Sequence, residues 1–157
     1  MQIKFKKLVA QAVAPTQGTP GSAGFDLTVC RPVEQISPAH IRCRSGIAVE
    51  IPKGHVGLLF PRSSICKKGL LLTDAVGVID SDYRGEISAV FDILHSEENR
   101  QARDFFGVLM PPRYKIYEVG ERFAQLVIVP IPEVEYIEVE ELTPTERGAG
   151  GYGSTGR

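Results

Sequence analysis

Short runs rich in Val and Ile recur along this chain, each fenced by Gly, Pro or charged residues: 46–51, 55–60, 86–93, 113–119, 123–129 and 134–140. Runs this brief suit strands far better than helices. Between the first two, Pro52-Lys53-Gly54 makes a turn for a physical reason. Pro presets φ, and Gly supplies the positive φ that other residues resist. Met1 to Lys7 alternates apolar and basic residues, which predicts a first strand. Only 61–68 reads as helical, for about two turns at most. The pattern predicts an all-β barrel or sandwich.

Composition bounds what such a fold can do. A chain of 157 residues is long enough for one domain with a buried core. Its net charge of −1 gives no bulk attraction to DNA or to an anionic membrane. Any nucleotide partner should therefore be a small molecule held by a few placed cations, and no nucleic-acid or membrane partner is expected. No window reaches the length of an apolar membrane span, and the N-terminal run lacks the apolar core of a signal peptide. Cys30, Cys43 and Cys66 are odd in number and unpaired in spacing. They predict reduced thiols and a cytoplasmic location. His40, His55 and His95 lie too far apart for zinc spacing.

The C-terminal stretch contains a false lead. Gly148 to Gly153 satisfies G-x-G-x-x-G but lies four residues from the end, with no room for the helix that gives the pattern meaning. The plain reading is a Gly-rich arm. Yet Arg147, Ser154 and Thr155 are phosphate-binding types, and Tyr152 offers a flat aromatic face. Such a segment can fold over a nucleotide.

Three further stretches carry chemistry. Pro61-Arg62-Ser63-Ser64 follows a strand and opens the short helix, an arrangement suited to phosphate oxygens. Its plain alternative is a helix cap beside a surface arginine. Gly77 to Ile87 reads as strand, tight turn, strand. Asp82 suits the turn, whereas Asp80 ends an apolar run and should be a partly buried base. In Gly120 to Leu126, Arg122 reads as strand surface. Gln125 should share the face of Phe123 and Val127, where a polar amide needs a partner.

In this order the segments resemble the five motifs of the trimeric all-β dUTPases: Ala23–Leu27, Pro61–Gly69, Gly77–Gly85, Gly120–Leu126 and Arg147–Gly156. The third and fifth are the most specific. The resemblance spans nearly the whole chain. It implies a distorted β-barrel or jelly roll over 1–143 and a C-terminal arm over 144–157 that closes over a neighbouring subunit's site in a homotrimer. It also implies hydrolysis of dUTP to dUMP and pyrophosphate, which limits uracil in DNA and supplies dUMP for dTTP synthesis.

The resemblance further assigns roles. Asp80 would activate the water that attacks the α-phosphorus. Arg62, Ser63, Ser64 and Gln125 would hold the phosphate chain, with Arg147, Ser154 and Thr155 added from the arm. Backbone groups of Gly77, Val78 and Ile79 would read uracil, and Tyr152 would stack on it. Tyr83 would pack against the deoxyribose and exclude a 2′-OH. Mg²⁺ would arrive on the triphosphate with no direct protein ligand, as this hard cation keeps its waters readily. Asp26 would reach it through water or serve as a buried structural carboxylate.

Several departures stand out. Ser64 replaces a commoner Gly, and Tyr152 a commoner Phe. Asp74, where several members carry Asn, receives no role. The segment near 95–113 is longer than usual and reads as an enlarged hairpin, with a protein-binding element as the alternative. Rival functions are a dCTP deaminase-like enzyme and a non-catalytic regulatory protein on the same fold. The deaminase would carry Glu where Val90 stands, and the regulatory protein would have no need of Asp80 or the arm.

Overall fold

The computed structural model describes residues 1–94 and 114–151. Ten strands and one 3-10 turn make up its regular structure: β1 (Lys4–Lys7), β2 (Phe25–Thr28), β3 (Glu34–Ser37), β4 (His40–Arg44), β5 (Ile47–Glu50), β6 (His55–Pro61), the 3-10 turn Ser63–Lys67, β7 (Leu70–Leu72), β8 (Gly77–Ile79), β9 (Ser88–Ile93) and β10 (Arg122–Pro130). The strands form two four-stranded sheets, ordered β2-β10-β6-β8 and β3-β4-β9-β7, and a β1-β5 pair. Every pairing is antiparallel. The all-β expectation holds, because strand-length apolar runs with alternating burial need a second sheet to cover them.

The core lies between the sheets. Phe91 (β9), Tyr117 and Phe123 (β10) meet with ring centroids 5.4 to 6.5 Å apart. Around them pack Leu27, Ile41, Ile47, Leu59 and Ile87. Strand β9 shows the period of two plainly: Ala89, Phe91 and Ile93 are buried, while Ser88, Val90 and Asp92 are only partly covered.

Four expectations need correction. The run 113–119 forms no strand in its described part, and 134–140 forms none either. Val134, Tyr136, Ile137 and Val139 stand exposed, Tyr136 by 96%. A lone strand leaves its backbone groups unpaired, so a β-prone run stays irregular until an edge is offered. The helical reading of 61–68 shrinks to the 3-10 turn. The third correction concerns Gly77 to Ile87. Strand β8 pairs with β6, whereas β9 pairs with β4 and β7. The segment is thus a corner between two sheets rather than a hairpin.

The fourth lies in β10. Its register shifts between Arg122 and Ala124, so Phe123 and Ala124 are both buried, with Leu126 following. A bulge of this kind inverts the alternation beyond it. Gln125 therefore turns away from the face of Phe123, which it was expected to share. The 95–113 segment lies outside the described residues, as do Tyr152, Ser154 and Thr155.

Candidate active site

Two clusters hold most of the described candidates. The first gathers where β2, β6 and β10 lie side by side. Asp26 on β2 is opposite Gln125 on β10, and Ala124 is opposite Pro61 at the end of β6. Asp26 is only 7% exposed. Its backbone pairs with Thr16, donating at 2.7 Å and accepting at 3.3 Å. Its carboxylate accepts from Arg62 Nε at 2.8 Å and from Arg122 Nη1 at 3.0 Å, one arginine per oxygen. A buried carboxylate needs such partners. Two cations are thereby held side by side at the rim of one sheet.

Gln125 completes this group. Its amide Nε2 donates to Pro61 O at 3.2 Å, which satisfies the polar group that the sequence flagged. A Cβ on Gly24, just before β2, would lie 2.9 Å from Gln125 Oε1 and 3.1 Å from its Cβ, so a larger residue there would press on this amide. Arg62 precedes the 3-10 turn that carries Ser63 and Ser64, and its own side chain makes no cap bond there. It is free of the capping role and committed to Asp26.

The second cluster is the inter-sheet corner. Val78, Ile79, Asp80, Tyr83, Glu86, Ile87 and Ser88 line a cavity of about 140 Å³. Asp80 is exposed, not partly buried as its position after an apolar run implied, because β8 is the edge strand of its sheet among the described residues. Tyr83 N–H donates to Asp80 O at 3.2 Å, which closes the turn. The Tyr83 hydroxyl donates to Glu86 O at 3.2 Å. A Cβ on Gly85 would collide with the Tyr83 ring and hydroxyl, so glycine here lets the ring lie flat across the corner. On its outer side β8 has no partner strand among the described residues. Backbone groups of Gly77, Val78 and Ile79 are thus available to a ligand.

The two clusters do not meet within one chain. In the β6–β8 register, Leu59 is opposite Gly77 and Gly57 is opposite Ile79. Asp80 therefore emerges toward the His55 end of β6, whereas Arg62 follows its Pro61 end. At about 3.3 Å per residue the two are of order 20 Å apart. Asp74 lies in the β7–β8 connection and joins neither cluster. Arg147 donates from Nε to Gly150 O at 3.0 Å within its own turn.

Sequence reasoning passed over Arg122 and Glu86. For Arg122 a signal existed: Phe123-Ala124 is an apolar pair that strict alternation cannot accommodate, and a bulge re-aims what precedes it. For Glu86 there was none, since its partners Arg31 and Arg44 are remote in sequence.

The dUTPase family pattern matches residues 10–98 and 114–156. The deoxyuridine 5′-triphosphate nucleotidohydrolase of Hydrogenobaculum sp. is 39% identical, over 99% of both chains. That of Nautilia profundicola is 41% identical over the full length of both. Among solved structures, the Staphylococcus bacteriophage 80alpha dUTPase with dUpNHpp superposes with a TM-score of 0.79 at 32% identity, covering 99% of each chain. Fold and matches together define an all-β nucleotide hydrolase. The chain belongs to the dUTPase family. It is a dUTP diphosphatase, hydrolysing dUTP to dUMP and pyrophosphate.

Proposed function

We propose that each working site is assembled between copies of the chain, with the Asp80–Tyr83 corner of one subunit facing the Arg62–Gln125 cluster of another. The observation that carries this reading is the separation of the two clusters along β6. A base at one end of a strand cannot serve a phosphate held at the other. Two surfaces support association. The segment 131–142, which forms no strand, carries exposed Val134, Tyr136, Ile137 and Leu142. An open groove of about 440 Å³ is lined by Met1, Ile3, Phe5, Phe25, Leu126 and Ile128 among others. Apolar surface of this kind is normally covered by a partner. The homotrimer of the family meets that need.

In such a site Asp80 accepts a proton from the water attacking the α-phosphorus, a step that general-base catalysis accelerates by roughly 10²–10⁴. Arg62, Ser63, Ser64 and Gln125 hold the phosphate chain, and Arg122 adds a second cation beside Arg62. Arg147, Ser154 and Thr155 of the arm 144–157 reach the distal phosphate, and Tyr152 covers the base. The open backbone of Gly77, Val78 and Ile79 reads the uracil edge. Cytosine reverses donor and acceptor there and leaves buried groups unpaired. Tyr83 stands as the wall against a 2′-OH.

No three of His, Cys, Asp or Glu converge as a metal site among the described residues. Both oxygens of Asp26 already accept arginine donors. This donor set fits Mg²⁺ that enters on the triphosphate and keeps water in its other positions. When bound there, the ion neutralises the phosphate charge and makes pyrophosphate a better leaving group. Asp26 acts chiefly as the carboxylate that sets the two arginines.

Complementation tests the shared site. Asp80→Asn and Arg62→Gln should each be nearly inactive alone. Unfolded together and refolded as mixed assemblies, they should regain a measurable share of pyrophosphate release from dUTP. If one chain supplies both groups, mixing restores nothing and the shared site is wrong. Wild type should cleave dUTP in preference to dTTP, dCTP and UTP in the same assay.

A further inference from the structure

Glu86 takes no part in the chemistry above, yet three chain segments converge on its carboxylate. The side chain is 13% exposed. It accepts from Gly46 N–H at 2.8 Å, Arg31 Nη2 at 2.8 Å and Arg44 Nη1 at 3.1 Å. Arg31 lies between β2 and β3, Arg44 ends β4, and Gly46 precedes β5. Burial pushes the acid's pKa up, but the Gly46 N–H, Arg44 and Arg31 outweigh it and hold the carboxyl below its ordinary range. It is therefore ionised at neutral pH.

The backbone at this point is fixed as firmly. Ile87 N–H donates to Ile47 O at 2.8 Å, and Ile87 O accepts from the Ser45 hydroxyl at 2.6 Å. Glu86 O is the acceptor for the Tyr83 hydroxyl. The tyrosine ring thus rests on Gly85 and is tied at its tip to residue 86. On the near side, Arg84 Nη1 donates to Ser81 O at 2.7 Å and Tyr83 O at 2.9 Å. The corner is braced within itself by Arg84 and against the second sheet by Glu86.

We propose that Glu86 is a positioning residue for sugar selection: its anchorage to Arg31, Arg44 and Gly46 keeps the Tyr83 ring stiff against the nucleotide sugar. The proposal rests on the reading of Tyr83 as the wall that excludes a 2′-OH. A wall discriminates against one extra oxygen only if it does not yield. Functional groups need to be held within about 0.5 Å for selectivity of this kind. Without the Glu86 anchor, only the neighbouring Ile87 bonds to Ile47 and Ser45 hold this point of the chain, and residue 86 with the Tyr83 tip bound to it gains freedom.

The test compares kcat/KM for dUTP and UTP in wild type, Tyr83→Ala, Glu86→Ala and Glu86→Gln, with folding checked by circular dichroism. Glu86→Ala should lower the dUTP:UTP ratio roughly tenfold, mostly through higher UTP turnover. Glu86→Gln keeps an acceptor oxygen for the Gly46 N–H and should recover part of the ratio. A merely structural role would depress both substrates together. An unchanged ratio in Glu86→Ala, with discrimination lost in Tyr83→Ala, overturns the proposal. Unchanged discrimination in Tyr83→Ala itself removes the wall reading, and the proposal falls with it. Should Glu86→Ala fail to fold, Glu86→Gln and Arg31→Gln carry the test, and wild-type ratios in both overturn it.

Discussion

Asp80 shows how one residue's setting decides what its loss does. It is exposed at the end of an edge strand, and among the described residues its carboxylate makes no hydrogen bond or ion pair. Asp80→Asn should therefore leave the melting temperature within a degree or so while kcat falls by roughly 10²–10⁴. Pyrophosphate release beside a thermal melt checks both halves; a large stability loss would show that the carboxylate braces the corner instead. The cysteines illustrate the opposite setting. Cys30 and Cys43 are buried and Cys66 is exposed. Burial pushes the Cys43 thiol up to about 12, which leaves almost no reactive thiolate. A thiol reagent should label one cysteine per chain in native protein and all three in denaturant. Fast labelling of more than one would mean that the core opens. At this scale the sequence was partly legible. Asp80, Arg62 and Gln125 were visible as polar types at the ends or in the midst of apolar runs. Glu86 was not, and Arg122 showed only as a break in the alternation, because their meaning lies in Asp26, Arg31 and Arg44, which only folding brings to them.

At the scale of elements, β10 and the corner after β8 do most to build the site. Strand β10 pairs with β2 on one side and β6 on the other. Its bulge places Phe123 and Ala124 in the core while leaving Arg122 and Gln125 for the rim. The runs behind β5, β6, β9 and β10 were legible because Val and Ile at strand length, fenced by Gly and Pro, have few alternatives. Pairing was not legible, since antiparallel partners leave no local mark. That is why the segment from Gly77 to Ile87 read as a hairpin and proved to be a corner between sheets. The packing that fixes this corner can be measured. Phe91 on β9 is fully buried and touches both Tyr117 and Phe123. Phe91→Ala should cost about 3–5 kcal/mol through lost burial and a residual cavity. Urea denaturation checks this, and a loss under about 1 kcal/mol would show that the aromatic cluster collapses freely around the gap.

The whole molecule is held by charge as well as by its core. Glu86 is kept ionised, against burial, by the Gly46 N–H, Arg44 and Arg31. Glu121 is lowered chiefly by its bond to Lys68, whose ammonium also lies 4.7 Å over the Tyr117 ring. Both carboxyls lie below their ordinary value of 4.5 in the folded state. The folded chain therefore binds fewer protons than the unfolded chain in this range. Their stabilisation is fully present above that value and is lost as pH falls through the lowered native values. Denaturation midpoints between about pH 5 and pH 3 should fall steeply in wild type and less so in Glu86→Gln. Equal slopes would place the acid sensitivity elsewhere.

What the sequence determined by itself was the kind of chain: strand-length apolar runs, turns with the right residues, and five ordered segments with phosphate-binding and carboxylate chemistry. These are local properties, set by side-chain shape and spacing. The tertiary structure alone decided three things. Asp26 clamps two arginines, the Gly77–Ile87 segment turns a corner between sheets, and Asp80 and Arg62 stand at opposite ends of β6. Each depends on which distant strands pair and in what register. That choice is made by burying the most apolar surface at once, and no short stretch of sequence records it.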